Sequence, residues 1–403
     1  MAVADRTVLT DAVVVAPDRV VDRGSVVVEA GLIAAVLPRS LPAGPETIGL
    51  GGRVLLPGLV DLHDDAIEID LNPRPGAEFA PMFGLLQLDR KLAAAGVTTQ
   101  FHAVYFPDDF ARRSIAQARS VGAAIGEFQR RGLGTIDHHA MLRLDVRAPG
   151  ALSAVTEALD RLAIPLVALS DHVPGRGQFR DIAAYRRFLS RDLGDAAGEA
   201  TIDAAIAADL RRAAATEQVV TETLARLARL RGERELILVS HDDDTPERVE
   251  LMHDLGCRIA EFPLTVEAAA RAKALGMTVA MGAANALRGG SLSGNVGARD
   301  LLARGLVDVL VADYSAPALL AALFRIVALG LATLPAATRL VTANPAAAVG
   351  LHDRGAIEPG RRADLVAVEQ VSAIPLAAAT MVGGRWAYLV GGLAASVRPA
   401  GAA

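Results

Sequence analysis

The chain has 403 residues, 52% hydrophobic and 22% charged, with a formal net charge of −5. That length is too great for one small core and suits a barrel of about 250 residues plus a smaller module. The charge excludes a global basic field for nucleic acid or anionic membranes, so an anionic substrate must be met by local arginines or metal ions.

The N-terminal apolar run carries Asp5, Arg6 and Asp11 and makes a poor signal peptide. No stretch reaches the roughly 18 uninterrupted apolar residues of a membrane span, so the expectation is a soluble, cytoplasmic protein. The single cysteine, Cys257, excludes internal disulfides and a cysteine-based zinc site. TVLTDAVVVAP, SVVVEAGLIAAVLP and GRVLLPG read as β-rich runs punctuated by Asp, Gly and Pro, and the texture returns in ADLVAVEQ and GRWAYLVGG. Residues 1–55 and 355–397 are therefore expected to form one small β-sandwich domain from both termini.

Between them, short apolar runs alternate with helical stretches: VLLPGLVDLH, GVTTQFHAV, HHAMLRLDV, IPLVALSDH, ELILVSHD, CRIAEFP, MTVAMGA and VDVLVADY. Eight βα units close a (β/α)8 TIM-like barrel, assigned here to residues 56–354. The connection from about 173 to 234 is longer than the rest and predicts a helical insertion. It serves either as a lid over the site or as ordinary barrel helices on long connections. The Ala-rich tail after Ala394 is expected to be disordered.

His63, His102, His139, His172 and His241 fall near predicted strands, His138 starts one, and His253 and His352 lie in helix or loop context. A barrel displays its catalytic groups at the C-terminal ends of its strands. His63, His172 and His241 sit there beside carboxylates, in HDD, SDH and SHDD, and Asp313 ends VDVLVADY. Mixed imidazole and carboxylate donors imply a transition-metal hydrolase. Residues i and i+2 of a strand share a side, so His63 and Asp65 can reach one ion while Asp64 turns away or covers them. A serine triad is the weaker account, since Ser170 and Ser240 lack a G-x-S-x-G elbow. There is no Walker loop and no strand-linked G-x-G-x-x-G.

LLPGLVDLH, VTANPAAAVGL and GRRADLVAVE resemble the amidohydrolase superfamily across nearly the whole chain. HDD with NPRP downstream, ALSDHVPGRGQF, VSHDDDT, AEFPLTVEAA, MGAANALRGGSLSGN and ADYSAPALL resemble its α-D-ribose 1-methylphosphonate 5-triphosphate diphosphatase family, of the carbon–phosphorus lyase pathway. That resemblance implies hydrolysis of the triphosphate to the 5-phosphate and pyrophosphate. It implies metal-site roles for His63, Asp65, His241 and Asp313, with His172 a further ligand, Asp145 an acidic bridging ligand and Glu261 standing where many members place a histidine. It also implies one or two divalent ions per subunit, zinc first and iron or manganese as alternatives, a phosphorylated ribose as the small-molecule substrate, and a homo-oligomer. The chain departs from the family pattern at Ala66, Ile69, Asp70, Met141 and Leu292.

On this reading Asp313 orients and deprotonates the attacking water. Arg74 and Arg288 are candidate phosphate clamps, and Asp242 and Asp243 candidate substrate contacts. Ser291, Ser293 and Asn295 offer donors from a Gly-rich loop that is otherwise a simple turn. Two other functions compete: hydrolysis of a cyclic amide or ester, or deamination, on the same scaffold, and a non-catalytic binding role. The retained set His63, Asp65, His172, His241 and Asp313 weighs against the last.

Overall fold

The computed structural model describes residues 6–74, 76–107, 114–192 and 198–394. The tail beyond Ala394 and five residues of the long connection, 193–197, lie outside the described residues. Eight parallel strands form a nearly closed barrel: Leu59–Asp64, Val97–Phe106, Asp137–Asp145, Leu166–Ser170, Ile237–His241, Cys257–Glu261, Thr278–Gly282 and Val309–Val311. Each is paired with the next in chain order. The strands are buried on both faces, which is why they read as apolar runs without clean alternation. Val60, Leu62, Phe101, Met141, Val239 and Ile259 pack together inside the barrel. A larger apolar cluster joins the outer strand faces to the helices.

The first and eighth strands meet through the very residues of interest. Asp313 N donates to His63 O at 2.9 Å, and Asp65 N donates to Asp313 O at 2.7 Å. Just below, the buried Asp61 carboxylate accepts from Ala312 N at 2.9 Å, Gln100 Nε2 at 2.8 Å and His63 N at 3.3 Å. Burial and the neighbouring Asp64 push Asp61 up to about 8.

The termini build one continuous eight-stranded sheet. Its path runs Arg385–Leu389, Ile374–Val382, Leu365–Val371, Val54–Pro57, Arg6–Val15, Val20–Glu29 and Leu32–Leu37, with Thr47–Gly49 beside Arg6–Val15. Leu9, Val14 and Val26 from one half share a core with Leu365, Ala367 and Met381 from the other, so the sheet folds over its own apolar side. The run VLLPGLVDLH thus divides at Gly58: Val54–Pro57 joins this sheet and Leu59–Asp64 opens the barrel. A methyl on Gly58 would collide with the Thr98 side chain. Asp137, at the start of the third barrel strand, pairs with Arg354 and Arg362 and ties the barrel to the C-terminal segment.

The helices of the long connection pack in two different ways. Helix Glu217–Glu233 buries Val220 and Leu227 in the main core, as a barrel helix does. Helices Ile182–Asp192 and Glu199–Ala215 instead hold a separate small core of Leu189, Ile202 and Ile206. Among the described residues, no helix is long and apolar enough to cross a membrane.

Candidate metal centre and its cavity

A cavity of about 530 Å³ opens at the C-terminal ends of the strands, with His63, Asp65, Arg143, His172, His241 and Asp313 among its lining. His63 is the penultimate residue of the first strand and is almost fully buried. Its Nε2 lies 3.4 Å from Asp65 Oδ1, the same-side approach expected of residues two apart. Asp64 turns away, its Oδ1 accepting from Ala66 N at 2.8 Å.

Asp242 and Phe262, directly after strands five and six, and Asp313, two residues after strand eight, all have positive φ, at 58°, 54° and 66°. For residues other than glycine this costs on the order of 1–3 kcal/mol each, and such strain collects at functional sites. Phe262 packs its ring near both His63 and His241, at 5.5 and 5.3 Å between centroids.

Three groups of donors among the described residues have the spacing of an ion site, two of which open onto the cavity: His63 with Asp65 and Asp313, and His172 with His241 and Asp242. Within the second, Asp242 Oδ2 lies 3.4 Å from both His172 Nε2 and His241 Nε2. Burial opposes ionisation of Asp242, but the two imidazoles hold it below the usual carboxylate range. Burial pushes Asp313 above its ordinary value.

Glu261 lies beneath both groups, almost fully buried. Its Oε1 is 2.9 Å from His63 Nδ1 and its Oε2 is 2.8 Å from His241 Nδ1. One carboxylate thereby faces both rings on the side away from Asp65 and Asp242, an arrangement that fixes imidazole orientation. The same three side chains also fall within ligand spacing of one another. Burial disfavours its charge, but His63 and His241 hold Glu261 well below its ordinary value.

Asp145 lines the cavity without joining either group. Its oxygens accept from Tyr105 Oη at 3.0 Å and Arg147 N at 2.9 Å. Arg288, Ser291, Ser293 and Asn295 reach the cavity wall, and Asn295 Nδ2 donates to Gln178 O of the insertion at 3.2 Å.

Two expected substrate contacts lie elsewhere. Arg74 is exposed and does not line the cavity, because its short bridge to Ala77 lies outside it. Asp243 is buried behind the strand, accepting from Ser240 Oγ at 2.5 Å. Of the positions that depart from the family pattern, only Leu292 lines this cavity. Met141 is in the barrel core and Asp70 pairs with Lys91.

Sequence reasoning missed the cavity's other cations, Arg143, Arg147 and Arg212, and its wall of Phe179, Tyr185 and Phe188. Arg143 alternates inward with Met141 and Asp145 along one strand, a signal available from period-2 spacing. Arg147 binds Asp171, Ala213 O, Thr216 and Glu217, and so clamps the insertion to the third strand's loop.

A parallel barrel with imidazoles and carboxylates gathered at its C-terminal rim defines a metal-dependent hydrolase. The sequence profile described as the Amidohydrolase family matches residues 233–387. The chain is 38% identical over 347 residues to the α-D-ribose 1-methylphosphonate 5-triphosphate diphosphatase of Escherichia coli (strain K12), covering 85% of this chain and 90% of that protein. It belongs to the amidohydrolase superfamily, in the family of that diphosphatase. Similar folds include the N-acetyl-D-glucosamine-6-phosphate deacetylase of Mycobacterium smegmatis, at TM-score 0.61 and 17% identity, covering 94% of this chain and 99% of that one. The N-isopropylammelide isopropylaminohydrolase of Burkholderia multivorans matches at TM-score 0.61 and 18% identity, covering 96% and 100%.

Proposed function

We propose that the protein hydrolyses α-D-ribose 1-methylphosphonate 5-triphosphate, releasing pyrophosphate and leaving the 5-phosphate. The observation that carries this reading is the cavity lining: Arg143, Arg147, Arg212 and Arg288 face one space, where divalent ions held by Asp65, Asp242 and Asp313 would leave the balance positive in a protein of net charge −5. Local cations of this kind focus a polyanion where the global charge would repel it. The diphosphatase relative supports the same substrate.

The donor set fits divalent cations. Both ring nitrogens of His63 are buried without a well-formed hydrogen bond, and acidic oxygens surround them. His63, Asp65 and Asp313 would hold one ion, and His172, His241 and Asp242 a second. Imidazole with carboxylate favours zinc, with iron or manganese as alternatives. When bound, such ions lower the pKa of water towards neutrality and screen phosphoryl charge.

The chain's own residues supply the rest. Asp313 accepts the proton of the attacking water as its oxygen bonds to the α-phosphorus in line. The bond from that phosphorus to the pyrophosphate oxygen breaks, and the pyrophosphate carries away the electron pair. Arg288, with Ser291, Ser293 and Asn295, donates to the outer phosphates. Glu261 keeps the two rings in orientation, and the insertion's aromatic wall limits water entry.

The test is to incubate metal-loaded protein with the ribose triphosphate, nucleoside triphosphates and cyclic amides or esters, scoring released pyrophosphate against ring-opened or deaminated product. Pyrophosphate from the ribose triphosphate is expected. Ring opening or deamination without pyrophosphate overturns the proposal, and the apolar Leu292 at the cavity would then mark the altered specificity.

A further inference from the structure

Arg143 stands where the two ligand groups meet. Its Nη1 lies 3.1 and 3.4 Å from the two oxygens of Asp65, which belongs with His63 and Asp313. Its Nη2 lies 3.4 Å from His241 Nε2, which belongs with His172 and Asp242. Among the described residues, no other cation pairs with members of both groups.

The guanidinium is nine-tenths buried, and its carbon is 5.4 Å from the centre of the Tyr105 ring. Its Nε–H is buried and has no hydrogen-bond partner. A buried donor left unsatisfied is costly, and a ligand oxygen removes that cost. A guanidinium keeps its proton even when buried, so the group is cationic.

We propose that Arg143 is a specificity-determining fork for the reacting phosphoryl group, donating to its non-bridging oxygens between the two ligand groups. This rests on the diphosphatase reading and deepens it. A guanidinium presents several donors in one plane and matches the paired oxygens of phosphate, which an ammonium does not. Phosphoryl transfer spreads charge over three equatorial oxygens, so a multidentate donor beside the reacting atom is favoured. An amide centre develops charge on a single oxygen and makes less use of such a fork. Asp65 then serves twice, offering oxygen to an ion and holding the fork in register.

The test uses Arg143→Met and Arg143→Lys in the full-length, metal-loaded protein. Metal content is measured first, then the affinity for orthovanadate, a mimic of the phosphoryl group in transit, and then pyrophosphate release. Arg143→Met is expected to keep its metal and lose roughly 10- to 100-fold in orthovanadate affinity, the range for charged hydrogen bonds. Arg143→Lys keeps the charge but not the fork and should recover only part of that loss. A folded, metal-loaded Arg143→Met protein that binds orthovanadate like the wild type overturns the proposal. If the Met variant loses its fold or metal, wild-type affinity in the Lys variant overturns it instead. A wild type that binds orthovanadate through Arg143 yet releases no pyrophosphate overturns the substrate reading and leaves the fork standing.

Discussion

Replacing Glu261 with Gln changes a single atom in shape but breaks the symmetry of the contact it makes. The carboxylate faces two rings at once, lying 2.9 Å from His63 Nδ1 and accepting from His241 Nδ1 at 2.8 Å. An amide has one accepting oxygen and one donating nitrogen. The ring that meets the amide NH2 must present a bare Nδ1, and its proton then moves to Nε2. For His63 that nitrogen faces Asp65, and for His241 it faces Asp242 and Arg143. Loss of such an orienting partner lowers metal affinity by roughly 10- to 100-fold. The independent figure for one hydrogen bond to a charged group, about 1.5–3 kcal/mol, converts to nearly the same range. Competition with a chelator measures the affinity, and 15N shifts of the imidazoles in the metal-free protein report which ring has changed tautomer. Unchanged affinity and tautomers would refute the orienting role. A loss beyond about 1,000-fold would instead mark Glu261 as a ligand, since it exceeds what outer partners contribute.

Asp313→Asn keeps the backbone bonds to His63 and Asp65 and suits the positive φ, so metal content should persist while turnover falls by roughly 10²- to 10⁴-fold; full activity would remove Asp313 from its proton-accepting role. Asp137 is held down at about 2, since Arg362 and Arg354 outweigh the effect of burial. The stability it contributes is complete above its unfolded value of about 3.9 and is lost as pH falls through the folded value. Asp137→Asn should therefore cost roughly 1–3 kcal/mol at neutral pH, less than a fully buried pair, and flatten the acid limb between about pH 4 and 2 in thermal melts. Gly355→Ala puts a methyl 2.7 Å from Ala343 Cα at a φ of 84° and should cost roughly 1–3 kcal/mol by denaturant titration. Arg147→Met frees the insertion from the third strand's loop, so KM should rise more than kcat falls; an unchanged KM would show that the clamp is irrelevant to substrate binding.

All eight barrel strands overlap the apolar runs read from the sequence, and five lie wholly inside them, because double-sided burial leaves a compositional mark that survives any tertiary context. His63 and Asp65 were legible for the same kind of reason, period-2 spacing at the end of such a run. Arg143 carried the same period-2 signal beside Asp145 but was missed, since a charged residue inside MLRLD resembles the solvent face of a strand until the barrel closes around it. Arg74 failed in the opposite way: a motif marked it, but nothing in a motif says which side of a turn faces the cavity. Asp243 shows the limit of adjacency, because the left-handed backbone at Asp242 sends two neighbouring carboxylates to opposite sides of the strand end. The insertion could not be resolved into barrel helix and cavity wall from periodicity alone, as both halves are amphipathic.

The seam between the first and last barrel strands has a consequence for how the molecule comes into being. The carboxylate at Asp61 and the amide it binds at Ala312 are 251 residues apart in the chain. Closing such a contact is slow and comes late, since every intervening unit must first find its neighbour. A nascent chain carries no assembled centre until the segment around residue 313 has left the ribosome, so chains truncated before it lack one donor of the His63 group. An ion gripped by His63, Asp65 and Asp313 would also act as a rivet across the joint, coupling cofactor supply to the lifetime of the folded protein.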